Sequence, residues 1–386
     1  MNTFYIFMPT IQHLLEKCKN LVSSPDYRRA YLIDIPQKYR GITGYFSNYI
    51  PEEIIAAAGL YPLRIIGFWN ASKSSQRTLF NPVCSFVKDV YLAAYAGEFA
   101  FLKNIVFPNS CDSLKVLRQI WEYEIKKPPV YTLLHPINAD ENSVQYFAGQ
   151  LRAFAGEMKR QSGADFTNAE LKQSIDKYNL TRGLLRQLYD IRKTGNFLKG
   201  ADAVALMTAG LIMERDEYNA MLRQVINEGI KSSHADENLK RIMVMGPLMD
   251  NYALLEKIEQ LGAVIIDDDI TNGRRYCSRD VVTSGDLYEN LAKRYLSADP
   301  SPTLNSSMKA NQQAFQRQLD ELDLQGVIYI NQKFCEPHVH NYLAKLEVLK
   351  QRKKNILMLE IEHAGPGVSE RDLLRIESFI EIAGKS

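Results

Sequence analysis

Asn104-Ile-Val-Phe-Pro-Asn-Ser-Cys-Asp112 is the stretch on which the fold turns. A short β-forming run ends at Phe107, Pro-Asn-Ser breaks it, and Asp112 stands where it can cap a following helix. Strand, tight turn and helix start within nine residues form the joint of a βαβ unit. Outward from it, further short apolar runs read as strands at Gly44–Phe46, Arg64–Phe68 and Val130–Leu134, with helical stretches at Glu52–Ala58 and Ser85–Ala96 between them. This alternation predicts a mostly parallel sheet covered on both faces.

From about Ser143 to Ser232 the strand signal disappears. Val144–Arg160, Asn168–Arg192 and Arg215–Ile230 carry apolar residues at helical spacing. Alternation then resumes, with strands at Ile242–Met245, Ala263–Ile266, Gly326–Ile330 and Ile356–Ile361, and helices at Tyr252–Leu261, Leu287–Tyr295, His338–Lys350 and Glu370–Ile382. The fold class expected is α/β: two Rossmann-like or flavodoxin-like parallel-sheet lobes with a helical middle segment. The boundaries read as 1–142, 143–238 and 239–386, in keeping with 386 residues at ~150 per domain.

Composition narrows the function classes. Hydrophobic residues make up 46% and charged residues 24%, which excludes a disordered or low-complexity chain. A net charge of +2 supplies no global field to draw in nucleic acid, and the 21 tyrosines are scattered rather than interleaved with basic residues. No run approaches the ~18 apolar residues needed to cross a bilayer, so a cytoplasmic protein without membrane or nucleic-acid contact is expected.

Five cysteines, Cys18, Cys84, Cys111, Cys277 and Cys335, are an odd number and form no CxxC pair, so a disulfide framework is disfavoured. Cys84 begins the run Ser85–Ala96. Cys111 follows the strand Asn104–Phe107, and Cys335 follows Gly326–Ile330 with Pro337 at a favoured first helical position. Helix N-termini lower thiol pKa values and favour the thiolate that metals and clusters take. Two readings stay open: small buried hydrophobes, or ligands meeting in a cleft at the carboxyl ends of strands. Cys18, on an amphipathic helix, reads as structural, and Cys277 as part of a basic loop, more at the surface than near the site.

Glu52 and Glu53 suit a helix start after Pro51. Asp267, Asp268 and Asp269 read as a turn or cap after a strand, because three adjacent side chains cannot all face one site. Arg274, Arg275 and Arg279 read either as a solvated loop or as contacts to phosphate. His338 and His340 are not assigned as ligands, and His363 precedes an Ala-Gly-Pro-Gly turn.

Gly44-Tyr-Phe-Ser-Asn-Tyr-Ile-Pro-Glu-Glu-Ile-Ile-Ala-Ala-Ala-Gly59, Asn81-Pro-Val-Cys-Ser-Phe-Val-Lys-Asp89, Phe107-Pro-Asn-Ser-Cys-Asp112, Ile258–Tyr276 and Lys333-Phe-Cys-Glu-Pro337 follow in an order that resembles the 2-hydroxyacyl-CoA dehydratase and benzoyl-CoA reductase family of iron–sulfur subunits. The resemblance implies that Cys84, Cys111 and Cys335 hold one [4Fe–4S] cluster with its fourth iron open. It further implies an acyl-CoA substrate, a related second subunit, and an ATP-hydrolysing iron–sulfur activator as electron source. No GxxxxGK[ST] loop occurs in the chain, consistent with energy arriving from a partner. Glu53 and Ser47 become candidates for proton transfer, since the segment they share lines the family's cleft. Two other readings accompany this one: a partner subunit that only relays electrons, and a cluster-free CoA-binding α/β protein.

Overall fold

The computed structural model describes residues 10–67, 83–194, 197–232, 239–297, 302–304, 308–362 and 368–383. Phe68, Asn81, Pro82 and the turn from His363 lie outside them. The chain opens with α1 (Ile11–Ser23) and α2 (Pro25–Ile33), capped by Thr10 and Ser24, whose hydroxyls accept the amides of His13 and Tyr27. Next come β1 (Ile42–Tyr45), α3 (Glu52–Ala57), β2 (Tyr61–Arg64), α4 (Ser85–Tyr95), β3 (Asn104–Pro108), α5 (Asp112–Ile120) and β4 (Val130–Leu133). Four helices follow: α6 (Glu141–Ser162), α7 (Asn168–Thr194), α8 (Gly200–Ala209) and α9 (Arg215–Ser232). The last part runs β5 (Lys240–Met245), α10 (Tyr252–Gln260), β6 (Ala263–Asp269), α11 (Arg274–Cys277), α12 (Leu287–Ser297), α13 (Met308–Asp320), β7 (Gly326–Gln332), α14 (Glu336–Gln351), β8 (Asn355–Ile361) and α15 (Glu370–Ala383).

Among the described residues there are two four-stranded sheets, both wholly parallel, ordered β2-β1-β3-β4 and β6-β5-β7-β8. The two orders are the same, and they match the flavodoxin-like rather than the classical dinucleotide-binding sequence of strands. Each sheet therefore reverses direction once, between β1 and β3 and between β5 and β7, and the crevice at such a reversal is where α/β folds hold ligands. Gly246, just after β5, makes the second crevice tight: a Cβ there would run into the Ile330 carbonyl oxygen.

The sheets share a core. One apolar cluster runs from Leu14 and Cys18 on α1 through Leu63 and Ile105, across Leu206 of α8, to Ile242 and Ile328 of the second sheet. Helix α8 is apolar almost all round, so its sequence carries no helical period to announce it; such a helix is fully buried. Strand β2 starts three residues earlier than expected. Pro62 argues against a strand interior, but β2 is an edge strand, where a missing N–H is tolerated. Helix α13 is a further element that the sequence pattern leaves unmarked.

The three aspartates form no turn. They complete β6, and all three are buried. Asp267 pairs with Arg274, Asp268 with Arg192 at 3.5 Å, and Asp269 with Arg275 at 2.5 Å and with Lys345. Counter-charges from the following helix and from α7 and α14 make burial tolerable, and burying such carboxylates unpaired would cost several kcal/mol each, on the order of 3–5 kcal/mol.

Candidate functional site

Cys84, Cys111 and Cys335 are the N-cap residues of α4, α5 and α14. Cys111 thus takes the position expected for Asp112, which becomes the first helical residue. Cys111 follows β3 and Cys335 follows β7, so these two occupy equivalent points at the reversals of the two sheets, while Cys84 comes from the crossover between β2 and β3. All three are free thiols. The structure brings them within electrostatic reach of one another. Burial, followed by the charge of Cys111, pushes the Cys84 thiol up to about 11. Burial also raises Cys111, and burial together with Cys84 and Cys111 raises Cys335.

Opposing donors recur at each sulfur. The amide three residues on, that of Val87, Leu114 or His338, draws the corresponding thiol down. The Ser113 hydroxyl does the same at Cys84, the Ser110 hydroxyl at Cys111, and the Arg275 guanidinium at Cys335. Cys84 is buried and Cys111 and Cys335 are half-buried. Three thiols that resist ionisation together would more readily give up their protons to a positively charged group that takes the protons' place. Among the described residues no three His, Cys, Asp or Glu close around a single ion. A multi-iron cluster spreads its thiolates further apart than one ion does, and thiolate is the ligand that iron–sulfur clusters take, so the donor set fits such a group.

The loop after β1 reaches the same region. Ser47 is half-buried with φ 67°, a left-handed conformation that costs a non-glycine residue roughly 1–2 kcal/mol. Before it, the Phe46 ring packs 4.5 Å from Phe107 and 6.4 Å from Phe86, tying the loop to both N-terminal cysteine segments. After it, Asn48 accepts from Arg64 at 3.0 Å and donates to the Thr271 carbonyl at 2.6 Å, which joins the two lobes. A second bridge lies at the cysteines: Lys88, one turn into α4, places its ammonium 5.1 Å from the Phe334 ring, directly before Cys335. Phe334 also has a left-handed φ of 64°. Between α5, α13 and α14 lies a cavity of about 460 Å3, lined by Cys111, Ser113, Phe334, Pro337, His340 and Asn341 among others. The buried Asn341 amide makes no hydrogen bond there.

Glu53 is fully buried against α7 and α12. Its Oε1 accepts from Arg182 at 2.8 Å and its Oε2 from Tyr295 at 2.8 Å. Burial alone would raise its carboxyl, but Arg182 and Arg294 outweigh burial and hold it below the ordinary range. Glu52 is buried too, accepting from Tyr276 at 2.6 Å and from Tyr45, beside Arg215.

Cys18 lies in the core as expected, but Cys277 does not lie in a surface loop: it is buried at the end of α11. Arg274 and Arg275 are engaged by Asp267 and Asp269 rather than solvated, and Arg279 is exposed. Sequence reasoning misses Ser110, Ser113, Lys88 and Asn341. For the serines a signal exists, since both stand within two residues of Cys111; nothing local marks Lys88 or Asn341.

The family model described as 2-hydroxyglutaryl-CoA dehydratase, D-component, matches residues 47–383. A benzoyl-CoA reductase subunit of Thauera aromatica is 25% identical over 332 residues, covering 84% of this chain and 86% of that one. The beta subunit of lactoyl-CoA dehydratase of Anaerotignum propionicum is 24% identical over 388 residues, 97% of this chain and 100% of its own. The beta subunit of (R)-2-hydroxyglutaryl-CoA dehydratase of Acidaminococcus fermentans is 21% identical across 97% of this chain and 99% of its own. With the match spanning both lobes and all three N-cap cysteines, the chain belongs to the 2-hydroxyglutaryl-CoA dehydratase D-component family.

Proposed function

We propose that this chain is the iron–sulfur subunit of an acyl-CoA-directed radical enzyme of the benzoyl-CoA reductase or 2-hydroxyacyl-CoA dehydratase type, with Cys84, Cys111 and Cys335 as ligands of one [4Fe–4S] cluster. The observation that carries this reading is the meeting of three free thiols from two lobes, each at a helix N-terminus. A cluster held by three thiolates supplies single electrons and one open, Lewis-acidic iron.

The chain's own residues bind and position around that group. Amides at the starts of α4, α5 and α14 offset thiolate charge, and the cavity beside Cys111 has room for an acyl group. Ser47 Oγ is the proton-handling hydroxyl in this proposal, supported by its strained, half-buried place at the end of β1. For Glu53, both carboxylate oxygens are already engaged, which favours holding α3 in position over carrying protons. The acyl-CoA substrate, a related second subunit, an ATP-hydrolysing iron–sulfur activator and a cytoplasmic location belong to the same proposal. The names of the relatives, each a subunit, support the partner, and among the described residues no helix is long and apolar enough to cross a membrane.

Anaerobic purification followed by iron and acid-labile sulfide analysis tests the reading. Near-equal iron and sulfide, lost when Cys111 is replaced by Ala, is the expected result, and a colourless, iron-free chain refutes it. Titration of the iron-loaded chain with acyl-CoA then separates the two roles: a spectral change at the cluster supports direct contact with substrate, and none without a second subunit supports a relay.

A further inference from the structure

Two serines stand at the sulfurs with hydroxyl protons to give. Ser113, in the first turn of α5, has its Oγ 3.4 Å from the Cys84 backbone nitrogen, accepting that N–H, and it faces the Cys84 thiol as well. It thereby links the segments of the first and second cysteines, which are 27 positions apart in the chain (111 − 84). Ser110 is buried, 6% exposed; its Oγ lies beside the Cys111 thiol, where it lacks a well-formed hydrogen bond, and among the described residues it has no other partner. A buried hydroxyl without a well-formed hydrogen bond is costly, on the order of 1–3 kcal/mol, so a better acceptor at the neighbouring sulfur would stabilise it. A neutral thiol is a weak acceptor, whereas a thiolate sulfur is a strong one.

We infer that Ser110 and Ser113 are positioning residues that donate hydrogen bonds to the sulfurs of Cys111 and Cys84 and thereby set the reduction potential of the group those sulfurs hold. This rests on the cluster reading above. Donors aimed at ligating sulfur withdraw charge and stabilise the more negative, reduced state, so their loss lowers the potential. Among the described residues no serine takes this role at Cys335; Arg275 supplies the compensating field there.

The test uses the full chain purified without oxygen, comparing wild type with Ser110→Ala, Ser113→Ala and Ser113→Thr. Iron and sulfide content is measured first, and then the midpoint potential by dithionite titration followed by electron paramagnetic resonance. Each alanine variant is expected to keep its iron and shift the reduction equilibrium about tenfold toward the oxidised form, equal to about 59 mV for one electron. Ser113→Thr, which keeps the hydroxyl at a half-buried position, is expected to stay near wild type. Alanine variants with full iron and unchanged potential overturn this inference alone and leave the cluster reading standing. A wild-type chain that takes up no iron overturns both. If Ser113→Ala folds but loses iron, recovery of iron in Ser113→Thr supports the hydroxyl's role, and equal loss in both variants refutes it.

Discussion

Replacing Arg182 by Met isolates the buried ion pair that holds α3 beneath the Ser47 loop. Arg182 is 1% exposed, and it donates to Glu53 at 2.8 Å and to Asn179 at 2.7 Å. Each bond to or from a charged group contributes about 1.5–3 kcal/mol, and leaving Glu53 buried without its ion-pair partner, with only the Tyr295 hydroxyl and the Arg294 charge remaining, places the variant about 3–5 kcal/mol below wild type near neutral pH. The penalty has a ceiling, because Glu53 can escape it by taking up a proton. From an unfolded pKa near 4.3, that uptake costs about 4 kcal/mol at about pH 7.5 and about 1 kcal/mol at about pH 5, at 1.36 kcal/mol per unit. The signs run opposite in the two proteins. In wild type the folded pKa of Glu53 is depressed, so its contribution is present above the unfolded pKa and is lost only as pH falls through the lower folded value. In the variant the folded pKa is raised, so the deficit is greatest at high pH and shrinks by roughly 3 kcal/mol between about pH 7.5 and about pH 5. Urea denaturation of both proteins at the two pH values measures it. A deficit under about 1 kcal/mol at the higher pH, or one that does not shrink at the lower, refutes the argument that a charged, paired Glu53 organises this part of the fold.

Four further outcomes are open to measurement. Replacing Cys84 or Cys335 by Ala is expected to remove most of the bound iron while circular dichroism stays native, since Cys84 is a helix cap without a capping bond and its loss costs the fold little. Ser47→Gly is expected to gain roughly 1 kcal/mol in stability, because glycine accepts φ 67° without strain, and to lose turnover; Ser47→Val is expected to lose both. His135 is buried, with Nε2 2.7 Å from the Tyr49 carbonyl, and burial pushes its pKa down to about 4 against the partial offset of that carbonyl and Leu133's. Its folded pKa lies below the unfolded one, so stability is present above about pH 6.5 and is lost as pH falls toward 4, and His135→Gln should flatten that slope in a denaturation series. Phe334→Ala removes the ring under Lys88 and is expected to weaken iron retention on dilution, whereas Phe334→Tyr should retain it.

What could be read in advance divides along a physical line. Strands such as Asn104–Pro108 and Gly326–Gln332 are buried on both faces, and a continuous apolar run announces them. The helical middle is legible because α6, α7 and α9 each leave one side to water. Asp267, Asp268 and Asp269 mislead, because three buried charges at a strand end make sense only once Arg274 and Arg275 of the next helix, and Arg192 and Lys345 from farther along the chain, are seen to pair with them. The shared context of Cys84, Cys111 and Cys335 is visible locally, yet their convergence depends on two sheets meeting at their reversals, a relation of long sequence range. Ser47 and Phe334 carry left-handed backbone that no residue preference for serine or phenylalanine would suggest.

The matched strand orders explain why the site offers three thiols. Cys111 and Cys335 stand at the same joint of the same topology, third strand to following helix, once in each lobe. Cys84 comes from the start of the helix after the second strand, and the counterpart in the other lobe is the start of α11, after β6. A strict repeat would set a fourth thiol there. Instead Gly273 opens that helix, and Arg274 and Arg275 follow it, pinned by Asp267 and Asp269. Arg275 is the residue whose charge reaches Cys335. At the position where symmetry would place another thiol, the chain thus holds a fixed positive charge with its own buried counter-ion. Under the proposed cluster reading, that charge would offset part of what three thiolates bring together. In the proposed cluster site, this asymmetry, with Arg275 near the start of α11 rather than a thiol, would leave one position open.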